Sequence, residues 1–315
     1  MDVIRRNLLL AGVAVAASSA LSACGGDSAV ASTPLPFPNI ADTSAATPAL
    51  VSLMDAYHTA KTDKNLTAFM SFFSPQLVTY FDNTLGFDMN YSALLAIMQE
   101  VTPKWPPGSM SYPTRIIGDT TSALITFTNT PGLFGGEIRA MAAINFDGTG
   151  KIVRWIDYWD SRSWPNLYDL SRNGDTNSHA DVVGETADSS MQSVASALIA
   201  AFSGGDATSA AALFSYDAVY EDLVLRTQVT GNAAIQRYFS RSLKSIPLGA
   251  GVTRRHVVGS NQGGGIEWIG VNAVKAGISA ILLNSSGLIT RMSTMYDGAL
   301  LGSGITPLVA LAIDT

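Results

Sequence analysis

Apolar residues recur at helical spacing through Leu50, Val51, Leu53, Met54 and Tyr57, which predicts an amphipathic first helix. A shorter helix is predicted over residues 65–73, NLTAFMSFF. Residues 77–83, LVTYFDN, then alternate apolar and polar as a strand does. Helical spacing returns over residues 91–101, YSALLAIMQEV, and the run PKWPPG at 103–108 stops it. Four β-rich runs follow, at 111–117, 123–130, 137–146 and 152–159. The last two are separated by Asp147, Gly148, Thr149 and Gly150, a hairpin signal. The predicted order is helix, helix, strand, helix and four strands.

The same order then recurs. Residues 191–202 and 207–214 read as helices, 218–225 (AVYEDLVL) as a strand and 231–246 as a helix. Strands follow at 253–258, 265–271, 273–282 and 289–295. Residue identities recur with the pattern: GKIVRWIDYWD at 150–160 matches GLITRMSTMYD at 287–297, and Tyr80 matches Tyr220. The shift is 140 residues at the tyrosines and 137 at Asp160 and Asp297, so a whole domain is duplicated rather than a solenoid unit of roughly 20 to 50 residues. The predicted domains are residues 48–170 and 186–315, joined by a polar linker, rich in turn residues, at 171–185.

Residues 1–23 read as an export leader: Arg5 and Arg6 give a positive start, followed by a short apolar run. LSAC at 21–24 resembles the bacterial lipobox, which implies cleavage before Cys24, acylation of its sulfur and a periplasmic or cell-surface protein held to the membrane by lipid. The paired arginines also resemble a twin-arginine signal, while the Sec route stays open. Residues 24–47, with STPLPFPN, read as a flexible lipidated tether. Cys24 is the single cysteine, so no disulfide is expected. Without the leader, 17 basic residues face 24 acidic ones, a net charge of −7, and no Lys/Arg cluster stands out. Nucleic acid is therefore not an expected partner.

The element order, together with the terminal Gly-Lys-Ile…Arg-Trp…Asp-Tyr…Asp strand, resembles the nuclear transport factor 2-like superfamily with its SnoaL-like polyketide cyclases, ketosteroid isomerases and limonene-1,2-epoxide hydrolases. The resemblance implies an α+β fold of two tandem cone-shaped domains, each a curved, mostly antiparallel sheet wrapped around helices. It also implies an apolar pocket for a small apolar molecule, no cofactor, and domains that pair as an intramolecular pseudo-dimer. The final strand is most similar to that of limonene-1,2-epoxide hydrolases. On that pattern Asp157 falls on the water-activating carboxylate, Tyr80 on the water-positioning Tyr, and Asp82 on an Asn that holds the same water. The pattern also needs an Arg and an Asp on a middle strand, and counting back places those columns at Leu124 and Thr126. The full triad is thus missing, and a variant pair of Asp157 and Asp82 with Tyr80 as donor is expected instead.

Residue spacing supports part of this independently. Tyr80 and Asp82 are two apart on a strand and so share a face, as do Trp155 and Asp157. A carboxylate in an apolar pocket has a raised pKa and exchanges protons near neutrality. Trp155, Tyr220, Asp222 and Glu267 are candidate ligand-binding residues, although Thr294 stands in the Asp157 column of the second domain. Against catalysis, Asp157 could pair with Arg139, and Tyr80 and Tyr220 could be core tyrosines with satisfied hydroxyls. Asp160 and Asp297 recur and are expected to cap the turn after the last strand. His58 sits among Thr, Lys and Asp and is expected in solvent. With only His179 and His256 besides it, no metal site is predicted. Two classes remain open: a cofactor-free isomerase, cyclase or hydrolase, and a lipoprotein that binds a ligand or partner without catalysis.

Overall fold

The computed structural model describes residues 37–313 except Val78 and residues 165–181. The leader, Cys24, most of the tether, most of the linker and His179 lie outside the described residues.

Two mixed-sheet α+β units succeed each other along the chain. In the first, β1 (Asp42–Ala46), α1 (Pro48–Thr62) and α2 (Leu66–Met70) lead into β2 (Thr79–Asp82), β3 (Phe87–Met89) and α3 (Tyr91–Val101). Then come β4 (Ser111–Gly118), β5 (Ser122–Asn129), β6 (Ile138–Phe146) and β7 (Ile152–Trp159). The second unit contains α4 (Ser189–Ser203), α5 (Ala207–Ala211), β8 (Phe214–Asp222), β9 (Thr227–Thr230) and α6 (Asn232–Ser242). It continues through β10 (Thr253–Ser260), β11 (Gly263–Ile269), β12 (Ala276–Leu283), β13 (Ile289–Tyr296) and a final short helix α7 (Ile305–Ala310). The sheets run β1-β4-β5-β6-β7-β2-β3 and β10-β11-β12-β13-β8-β9. Most neighbours are antiparallel, but β2 runs parallel to β7, and β8 to β13.

Local chemistry sets the boundaries. The side chain of Thr47 accepts from Leu50 N at the start of α1, with Pro48 in the first turn where its missing N–H costs nothing. Asn65 and Asn90 cap α2 and α3 in the same way. At the hairpin between β6 and β7, Asp147 Oδ1 accepts from the backbone of Thr149 and Lys151, while Gly150 takes a φ of +77°.

The units correspond in detail at an offset of 141. Thr47 N donates to Gly118 O at 3.1 Å, and Asp188 N donates to Gly259 O at 3.0 Å. Asn65 N donates to Ala60 O at 2.9 Å, and Asp206 N donates to Ala201 O at 2.8 Å. Gly118 and Gly259 have φ of +115° and +120°.

The tether expected over residues 24–47 ends in order: Asp42–Ala46 pairs parallel to β4, and Asp42 meets Arg115 at 3.1 Å. Short, polar and on an edge, this strand leaves no periodicity to read. The three-residue β3, the four-residue β9 and the six-residue α7 are also too short to show a period.

Each face of the first sheet has its own task. Inward residues of β5, β6 and β7, such as Phe127, Ala140, Ala142 and Trp155, pack with Leu50, Met54 and Tyr57 of α1. Outward residues of the same strands, such as Leu124, Met141, Ala143, Ile156 and Tyr158, join the apolar cluster of the second unit. Polar contacts fix that junction. Arg154 Nη1 lies 2.7 Å from Glu267 Oε2 with both side chains almost wholly buried. Tyr158 Oη donates to Glu267 Oε1 at 2.8 Å, and Ser161 Oγ donates to Asp297 Oδ1 at 2.7 Å.

Candidate functional site

The inward face of the first sheet and helices α1 and α3 enclose a cavity of about 100 Å³. On the scale where one water needs roughly 10–15 Å³, this holds several waters or one small ligand. Its wall is apolar, including Phe69, Leu94, Met98, Phe127 and Phe134. Tyr80, Asp82, Asp157 and Lys61 also line it. The small side chain of Ala140, on the strand next to β7, also lines the cavity, and Ala142 of that strand is the register partner of Asp157.

Parallel pairing of β2 with β7 sets Tyr80 beside Trp155 and Asp82 beside Asp157. Neighbouring strands lie about 4.8 Å apart, so two carboxylates on one face repel each other across that gap. Asp157 accepts from the Tyr80 hydroxyl at 3.1 Å on Oδ2 and from Trp155 Nε1 on Oδ1. It is 7 % exposed. Burial, then the charge of Asp82, pushes its pKa up to about 7 against the pull of Lys61, Trp155 and Tyr80. Asp157 therefore changes charge near neutrality. Asp82 is held differently: it accepts from Leu85 N at 2.9 Å and from Trp159 Nε1 at 3.1 Å. Burial lifts it to about 6 against those N–H donors. Burial and the Asp157 charge raise the Tyr80 hydroxyl well above its usual value, so Tyr80 stays protonated as a donor.

Lys61 is the residue that the sequence reading missed. It follows Leu50, Met54 and Tyr57 at steps of four, three and four, which places it on the buried face of α1. That spacing was the available signal, obscured by the polar identity of its neighbours. Its Nζ donates to Asn129 Oδ1 at 3.3 Å and lies 5.7 Å from the ring centres of Phe127 and Phe134. Burial lowers its pKa to about 8, with the Asp157 charge pulling it upward.

Several expectations need correction. His58 is fully buried, not solvated, because it lies one turn beyond Met54; its Nδ1 meets Ser111 Oγ at 3.1 Å. Arg139 is exposed and pairs with Glu137 at 2.8 Å, not with Asp157. The middle-strand columns assigned to Leu124 and Thr126 face away from the cavity: Leu124 packs toward the second unit and Thr126 meets Thr114 at 2.7 Å. The residues of β5 that face inward are Phe127 and Asn129, a one-residue slip that flips the face. Glu267 likewise sits in the junction with Arg154 and Tyr158, where its charge is compensated, and not in a ligand pocket. Trp155 lies behind the site: its ring stacks between Tyr57 and Tyr80 and its N–H orients Asp157.

In the second unit Asp222 pairs in register with Thr294 as Asp82 does with Asp157. Asp222 accepts from Tyr296 Oη at 3.0 Å and from the backbone of Val224 and Leu225. Tyr220 is fully buried, packed on Tyr238 and Phe239. At the 141 offset, Phe202 stands where Lys61 does, and it packs on Phe239. Both members of the ionisable pair Lys61 and Asp157 are thus replaced by uncharged residues. Asp160 and Asp297 accept from Arg162 N and Ala299 N respectively, capping the turns after β7 and β13. Among the described residues no group of three His, Cys, Asp or Glu side chains could hold a metal ion.

No family model matches the chain. Among solved structures, it is similar to a protein with a cystatin-like fold from Silicibacter pomeroyi DSS-3, at 15 % identity over 39 % of this chain and 86 % of that one, with a TM-score of 0.33. It is also similar to an NTF-2 like protein of unknown function from Burkholderia xenovorans LB400, at 17 % identity, 34 % and 84 % coverage and a TM-score of 0.29. A SnoaL-like protein of unknown function from Burkholderia thailandensis E264 matches at 11 % identity, 35 % and 96 % coverage and a TM-score of 0.31. Each likeness spans little more than a third of the chain, and none carries an argument about chemistry.

Proposed function

We propose that the first unit binds a small apolar molecule and performs cofactor-free acid–base chemistry on it, of the isomerase, cyclase or hydrolase type, with Asp157 as the proton acceptor. The observation that carries this reading is the convergence of Asp157, Asp82, Tyr80 and Lys61 at one cavity whose remaining wall is apolar. A proton acceptor works best when its pKa lies near the operating pH, and Asp157 at about 7 meets that condition. Tyr80 and Trp155 each occupy one oxygen of Asp157 and leave its remaining lone pairs for a substrate proton or a water. Tyr80, held neutral, donates to Asp157 as it ionises.

The second unit serves as scaffold on this reading, since the positions of Asp157 and Lys61 hold Thr294 and Phe202. The leader and Cys24 add a location: the protein is exported and tied to a membrane by an acylated N-terminus. Junction contacts between the sheets support an intramolecular pseudo-dimer in which the back of one sheet supports the other.

The test is deuterium incorporation alpha to the carbonyl of small apolar ketones in D₂O, followed by NMR in the wild type and Asp157→Asn, with binding measured separately by thermal shift. Exchange that falls at least about a hundredfold while binding persists is expected, in line with the usual contribution of a general base. Equal exchange in both proteins rejects Asp157 as acceptor, and binding without exchange in the wild type leaves a carrier.

A further inference from the structure

Lys61 is set apart from the other described lysines. Lys64, Lys104, Lys151, Lys244 and Lys275 are exposed or half-exposed, whereas Lys61 is 5 % exposed and lines the cavity. Among the described residues its hydrogen-bond acceptor is Asn129 Oδ1 at 3.3 Å, and Phe127 and Phe134 flank the amine. The two rings attract a cation, but an ammonium carries three N–H donors and one amide oxygen accepts only one of them, so burial disfavours the charged form. A role in gripping an anion fits poorly, because at neutral pH Asp82 is ionised and Asp157 is partly so, which leaves the cavity neutral or negative even when Lys61 is charged. A neutral, apolar electrophile meets no such repulsion.

We infer that Lys61 is a nucleophile and forms a reversible imine with a small apolar aldehyde or ketone held in the cavity. The inference rests on the acid–base reading above and names its substrate class. The Nζ lone pair attacks the carbonyl carbon, the C=O π pair moves to oxygen, and a proton passes from nitrogen to that oxygen to give a carbinolamine. Protonated Asp157 then donates to the hydroxyl, which leaves as water while the nitrogen lone pair forms C=N. The iminium acidifies the neighbouring C–H, and the Asp157 carboxylate left by the previous step takes that proton. No oxidant, reductant or cofactor enters the balance. Burial that lowers the amine to about 8 leaves about a tenth of it neutral at pH 7, and desolvated lysines are activated in this way.

The probe is cyclohexanone with sodium cyanoborohydride at pH 7.5, applied to the full chain in detergent and read by intact mass and peptide mapping. One cyclohexyl group per chain on the Lys61 peptide is expected, at least tenfold faster than on any of the other five lysines, and Lys61→Arg abolishes it. Labelling spread evenly over the surface lysines and unchanged by Lys61→Arg overturns the inference. Cyclohexanone that raises the melting temperature without being trapped at Lys61 also overturns it, while the acid–base role of Asp157 remains to be judged by deuterium exchange. Should Lys61→Arg not fold, Lys61→Met takes its place, and the peptide map of the wild type alone distinguishes selective from random labelling.

Discussion

Replacing Asp157 by Asn should change how stability depends on pH. In the native state burial and Asp82 raise this carboxyl from its ordinary 3.8 to about 7. The folded protein thus holds the proton more tightly than the unfolded chain does. The stabilisation is complete below pH 3.8 and is lost as pH rises to about 7, with full slope between. At about 1.36 kcal/mol per pH unit, falling to half that slope at the folded pKa, the interval from pH 5 to pH 7 amounts to about 2 kcal/mol. Asn lacks this titration, so the wild type should lose about 2 kcal/mol more than the variant over that interval. Asn also forfeits one of the two hydrogen bonds from Tyr80 and Trp155, a cost of about 1 kcal/mol that is independent of pH and leaves the slope difference intact. Lys61 does not interfere: its folded value of about 8 lies above the window, and losing Asp157 lowers it, which adds to the difference in the same sense. Guanidinium unfolding at pH 5, 6 and 7, followed by tryptophan fluorescence, measures this, since Trp105, Trp155, Trp159 and Trp164 lie in the first unit and Trp268 alone in the second. Parallel curves for wild type and variant would refute the raised pKa.

Other consequences follow from the same geometry. Glu267→Gln leaves Arg154 buried without its counter-charge and should cost about 3–5 kcal/mol, while Arg154→Met/Glu267→Leu together should recover most of it, as read by unfolding midpoints. Gly259→Ala puts a Cβ 2.3 Å from Gly263 O at a φ of +120°, so a loss of more than about 1 kcal/mol in thermal unfolding is expected. Ile97→Trp, on the half-buried cavity wall, should abolish thermal shifts from small ketones while its own melting temperature stays within a few degrees of wild type.

The long elements were legible because their periods are long enough to read. The inward set Leu50, Met54 and Tyr57 and the alternation in β7 each span several repeats. Pairing Tyr80 with Asp82, and Trp155 with Asp157, was readable from a spacing of two, and the parallel register brings both pairs to one cavity. What the chain concealed depends on register and on the junction. Leu124 and Thr126 were one residue off the inward face, because β5 is buried on both faces and lacks polar alternation. Glu267 looked like a pocket acid, yet its partner Arg154 lies more than a hundred residues away in sequence. The polar neighbours of His58 point to solvent and those of Lys61 hide its place in the site, although helical phase puts both on the inner side of α1.

The claim on which the account depends is that Asp157 exchanges its proton near neutral pH. Carbon-13 NMR of the full chain with aspartate labelled at the side-chain carboxyl, assigned by loss of one signal in Asp157→Asn, reads that ionisation directly. A midpoint near 7 for the lost signal is the predicted result. A midpoint near 4 would contradict it and remove the basis for acid–base chemistry in this cavity.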